Sequence, residues 1–187
     1  MGNRCHWAGR VCVPIFFILA VLLGSCAEDE SLAAGTGSLI DHYSWEAVAS
    51  SDDFFASPML DAESCVDGDG YLAELFGQDL VLSVSTEQCA SVTVEQPLLV
   101  NLPKGTWVEG RLWHFSLAAP SPAAGWAAFA VEGTIVWAQA IEIPAQSGLV
   151  RIQWQAPRDL LAGESMRFHL QNHGDNSWHL IDLVVKE

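Results

Sequence analysis

Residues 149–171 read LVRIQWQAPRDLLAGESMRFHLQ and contain two runs of strict alternation. Val150, Ile152 and Trp154 fall on one side of an extended chain, and so do Met166, Phe168 and Leu170. Successive side chains of a strand point to opposite faces, so each run predicts a strand with one face on a core. The same texture continues in both directions, with strands expected at 43–49, 80–85, 91–94, 98–102, 106–117, 126–131, 134–143, 149–155, 165–171 and 177–186. Pro103-Lys104-Gly105, Gln146-Ser147-Gly148, Ala162-Gly163-Glu164 and Asn172-His173-Gly174-Asp175-Asn176 have the residue types that turns require. Glu132-Gly133, set between two apolar runs, reads as a hairpin. Residues 52–79 stay open: Asp53-Phe54-Phe55 and the run 71–76 suit a helical turn, a strand or a packed loop. Many short strands without helix-strand alternation predict an all-β fold, a two-sheet antiparallel β-sandwich of the jelly-roll kind, over residues 43–187.

The whole chain has 187 residues, with 8 Lys+Arg against 23 Asp+Glu, a net charge of −15 and 50% hydrophobic residues. That length suits one domain, and the apolar fraction argues against a disordered chain. So acidic a chain repels phosphate backbones, which excludes nucleic acid as a partner.

The first residues differ from the rest. Arg4 and Arg10 precede an apolar run over 11–23, in the order of a secretory signal. The run is short of the roughly 20 residues a membrane span needs. Leu23-Gly24-Ser25-Cys26 follows, and it resembles the lipobox of bacterial lipoproteins. The resemblance implies that 1–25 is a signal peptide and that Cys26 becomes the lipidated N-terminus. Residues 26–42 are then expected to form a flexible acidic tether, with the membrane as a partner through the lipid. Ala27 stands where an Asp resembles an inner-membrane retention signal, so the expected location is the bacterial cell envelope, with the outer membrane favoured. Cys5 and Cys12 leave with the leader, and Cys65 and Cys89 form the even pair expected to join as a disulfide in an exported protein.

A second resemblance rests on 89–100, CASVTVEQPLLV, and on 161–183, LAGESMRFHLQNHGDNSWHLIDL. These stretches look like the galactose-binding-like jelly rolls of carbohydrate-binding modules. The resemblance implies a sandwich whose ligand meets loops or a concave sheet, a structural calcium in many such modules, and Asp182 as the matching acid of the closing strand. Calcium takes hard oxygen ligands. Asp52 and Asp53 are further candidates, while Asp67-Gly68-Asp69-Gly70 has the alternating acids of a calcium loop but not its closing Glu.

No nucleophile elbow, zinc-protease helix, phosphate loop or dinucleotide fingerprint is present, so no catalytic residue is named and an enzyme is not expected. His169, His173 and His179 with Met166 lack the cysteine thiolate that a blue-copper site needs on this hairpin, and read as solvated or core-edge side chains. Tryptophan offers an indole face on which sugar C–H groups stack. Trp154 is in phase with the core. Trp113 beside His114, and Trp178 near Asn172, Asp175 and Asn176, are the candidate ligand contacts, with burial in the core as the open alternative for both. The sequence therefore predicts a non-catalytic module that binds carbohydrate or envelope polymer. The alternative is a structural or protein-interaction lipoprotein with an envelope protein as partner.

Overall fold

The alternating runs become strands of two packed layers in a computed structural model, which describes residues 35, 37–49, 51–55, 67–87 and 89–186. Ten strands are formed: β1 (Glu46–Ala47), β2 (Tyr71–Phe76), β3 (Asp79–Ser85), β4 (Ser91–Pro97), β5 (Trp107–His114), β6 (Ala123–Val131), β7 (Thr134–Ile143), β8 (Gly148–Gln155), β9 (Ser165–Gln171) and β10 (Ser177–Val185). They make two five-stranded sheets, β1-β4-β9-β6-β7 and β2-β3-β10-β5-β8, in which every pairing is antiparallel. The chain is thus an all-β, two-sheet sandwich.

Register decides which side chains meet. In the first sheet Val94, Phe168 and Phe129 stand abreast, as do Val92, Leu170 and Ala127, and all are buried. In the second sheet Leu82, Leu180 and Leu112 form a matching row. Strands such as β5 and β8 give every second residue to the shared core, which is the main source of the fold's stability. The turn between β6 and β7 is the expected hairpin: Val131 pairs with Thr134, and Glu132 and Gly133 take φ values of 46° and 73°. Two successive positive values mark the mirror-image turn that matches strand twist. Glu132 tolerates the left-handed region while its Oε1 accepts the Ser165 N–H at 2.8 Å.

Three expectations need correction. Residues 98–102 are not a strand: Leu98 N–H bonds Glu164 O and Leu102 pairs with Leu160, both in the loop between β8 and β9, while Leu99 N–H bonds Leu39 O in the N-terminal segment. Pro97 and Pro103 bracket the run, and its buried Leu98 and Leu102 cap the core from a loop. The first strand shrinks from 43–49 to β1. The end of the expected tether belongs to the sandwich, since Leu39 and Ile40 are buried and Ser38 bridges Val184. Leu39 N–H bonds Leu183 O at 2.8 Å and Val185 N–H bonds Gly37 O at 3.3 Å, so this segment lies along the final residues of β10. An apolar pair in a Gly/Ser-rich stretch is too short to show any period. The leader, Cys26 and Cys65 lie outside the described residues. The sulfur of Cys89 is 3.3 Å from Ser85 O, and its pairing with Cys65 therefore also lies outside them.

Candidate functional site

Strand β10 alternates between two environments. Trp178 and Leu180 point into the core, whereas His179 points outward between Ser83 of β3 and Trp113 of β5, its neighbours in register. Phe76, from the far end of β2, lies flat on the His179 ring, with centroids 4.3 Å apart and planes 14° from parallel. Trp113 is 5.1 Å from Phe76, and Phe115 stands edge-on to Trp113 at 4.4 Å. Four rings thus form one cluster on the outer face of the second sheet. Offset and edge-on contacts of this kind are the favoured geometries for aromatic rings.

Beside the cluster runs a groove of about 350 Å³, with Phe76, Phe115 and His179 on its apolar wall. Asp69 and Glu74 supply carboxylates and Ser83, Ser85 and Ser177 line it further. Asp69 and Glu74 are exposed, and Phe115 is 47% exposed, so its ring is open to a ligand. His179 is only 4% exposed. Its Nδ1 lies 3.0 Å from Ser83 Oγ, while its buried Nε2 has no partner among the described residues. Burial holds this imidazole below its ordinary pKa, against an opposing pull from Glu74, so the ring is neutral near neutral pH. A rigid apolar wall facing converging oxygen atoms can receive a molecule with C–H faces and a hydroxylated rim.

The residues picked from the sequence are distributed otherwise. Trp113 joins the ring cluster, half-buried. Trp178 is fully buried, and this corrects its choice as an exposed contact: it shares the inward phase of Leu180 and packs on His114 at 4.9 Å. His114 is buried too, its Nδ1–H donating to Phe115 O at 2.7 Å. Asn172 and Asn176 are likewise buried and internal. Asn172 donates to Thr86 Oγ1 at 2.7 Å, and Asn176 brackets the Ala118 backbone by accepting its N–H at 2.8 Å and donating to its carbonyl at 3.1 Å. Asp175 is exposed but is not among the groove residues. These amides tie loops together, as buried amides must.

Asp182, the candidate calcium ligand, is engaged by a cation: Arg111 Nε donates to its Oδ2 at 2.8 Å, and its Nη2 lies 2.6 Å from the same oxygen. Among the described residues no three His, Cys, Asp or Glu side chains converge as metal ligands. Arg111, Arg151 and Asp182 line a separate recess of about 150 Å³ on the outer face of the same sheet.

A second outward histidine sits on the other layer. Thr93 Oγ1 lies 2.5 Å from Asp53 Oδ2 and 2.6 Å from His169 Nδ1. A carboxylate only accepts, so the hydroxyl proton goes to Asp53 and His169 donates from Nδ1. Phe55 stacks on that imidazole at 4.7 Å, and burial drives its pKa down to about 4. This face is therefore covered where the groove face is open.

No protein-family model matches the chain, and no curated protein matches it in sequence. Solved structures similar in layout include a family 61 carbohydrate-binding module in complex with β-1,4-galactotriose, 8% identical, covering 81% of this chain and 99% of that one, with a TM-score of 0.46. The K3 cleaved adhesin domain of Lys-gingipain from Porphyromonas gingivalis is 11% identical, covers 76% and 90%, and also scores 0.46. A family 22 xylan-binding domain from Paenibacillus barcinonensis is 14% identical, covers 82% and 96%, and scores 0.42. Likenesses at this level carry nothing about what the groove holds.

Proposed function

We propose that this protein is a cell-envelope lipoprotein whose sandwich is a non-catalytic module for carbohydrate, and that the groove beside Phe76, Phe115 and His179 is its site. The observation that carries this reading is an open aromatic wall facing carboxylate and hydroxyl groups on a rigid sheet. Sugar rings offer C–H faces to the one and hydroxyls to the other. Asp69 and Glu74 are both exposed, unlike a glycosidase pair sunk in a cleft, and this supports binding without hydrolysis. The Leu23-Gly24-Ser25-Cys26 stretch supports anchoring, with an outer-membrane location as part of the proposal.

A glycan array probed with the full-length protein in detergent micelles tests the reading. Phe115→Ala, at an exposed ring, is expected to weaken binding about tenfold, the equivalent of ~1.4 kcal/mol of lost stacking. Ile135→Ala, at an exposed position of β7 in the other sheet, is expected to leave binding unchanged. If no glycan is retained, the sugar-binding reading fails and a protein partner takes its place.

A further inference from the structure

Resting on the glycan reading of the groove, a further property follows from its charge. Its lining residues include the carboxylates of Asp69 and Glu74 and, among the described residues, no lysine or arginine. His179 adds no compensating charge near neutral pH, because burial holds the imidazole below its ordinary pKa. Arg111 and Arg151 on the same face line the other recess, where Arg111 is committed to Asp182. The groove is therefore anionic within a chain of net charge −15. Its apolar wall also favours a cation, since an ammonium is attracted to the face of an exposed aromatic ring. His179 also lines the groove, and its buried Nε2 has no partner among the described residues.

We infer that the groove selects glycans with free, protonated amino groups over neutral glycans and over uronic-acid polymers. Sugar C–H faces lie on Phe115, and the ammonium group is drawn to the Asp69 and Glu74 carboxylates. A neutral sugar gains only the stacking and hydroxyl contacts. A uronate meets like charge.

The test compares four hexamers on the full-length protein by calorimetry near neutral pH and at low salt: glucosamine, N-acetylglucosamine, glucose and galacturonate. The expected result is binding of the glucosamine hexamer about fivefold tighter than its acetylated twin, the upper end of what an exposed pair of opposite charges supplies at low salt. That advantage is expected to vanish at about 1 M salt, where screening acts within about 3 Å. It is also expected to vanish in the Asp69→Asn/Glu74→Gln double variant, whose two positions are exposed and keep the fold. Equal or tighter binding of the acetylated, glucose or galacturonate hexamer overturns the amine selectivity while leaving a glycan site. An amine preference undiminished in the double variant also overturns it, since the rest of the acidic surface is then responsible. Failure of every hexamer and of the wider array strikes the glycan reading itself.

Discussion

His169 holds its place as a neutral ring, donating from Nδ1 to Thr93, with its buried Nε2 unpartnered among the described residues. Its pKa in the fold is about 4, against 6.5 for an ordinary histidine. An unfolded chain therefore takes up a proton at this residue below pH 6.5 that the folded chain refuses. The stability linked to the neutral ring is complete above pH 6.5 and is lost as pH falls toward 4, a loss of about 3 kcal/mol. His42 and His179, also lowered by burial, act in the same direction. Urea midpoints measured from pH 7 to 4 are expected to fall, and to fall less in His169→Phe; a midpoint independent of pH in both proteins contradicts this. The outward phase of His169 was legible from Phe168 and Leu170, but its cover was not. Phe55 and Asp53 reach it from about a hundred residues away in sequence, out of a stretch with no periodicity. For Trp178 the open alternative of burial is the one the fold adopts, in the inward phase of Leu180 two residues on.

The loop between β9 and β10 is held by its own side chains rather than shaped for a ligand. Thr86, Asn172 and Asn176 fix it to Ala118 and to the Gly174 carbonyl. Gly174 has φ 93°, and a Cβ there would lie 2.2 Å from Ala118 O. Gly174→Ala is expected to destabilise the domain by about 2–4 kcal/mol, from a strained backbone and a clash with backbone that cannot yield, as read from the chemical denaturation midpoint. A substitution within ~0.5 kcal/mol of the parent contradicts the close packing of this loop. At this scale alternation served well: β7 and β9 run between the residues that the pattern gives. It failed where two prolines enclose apolar loop residues at 98–102, and it was silent on β2, an edge strand whose Leu72 and Leu75 are exposed. The groove needs Ser83 of β3 opposite His179 of β10, with Phe76 of β2 laid over the imidazole, and register between strands about a hundred residues apart is not written in local pattern.

For the molecule as a whole, the proposed anchor and the described domain make separable predictions. Cys26→Ala is expected to move the protein from the lipid-extractable fraction to the soluble or unprocessed one without altering glycan binding. Continued extraction with lipid contradicts the anchor. Geometry then sets how a captured polymer acts on the fold. The groove takes Ser177 and His179 at one end of β10, and the N-terminal segment lies along Leu183 to Val185 at the other. The two points are roughly 20 Å apart at ~3.3 Å per residue. If the domain holds a polymer and is tethered as proposed, tension entering at these two points would run lengthwise through β10, a strand flanked on both sides by β3 and β5. Its ladder bonds lie across that direction. Under such a load they would resist together, in shear, instead of unzipping one after another.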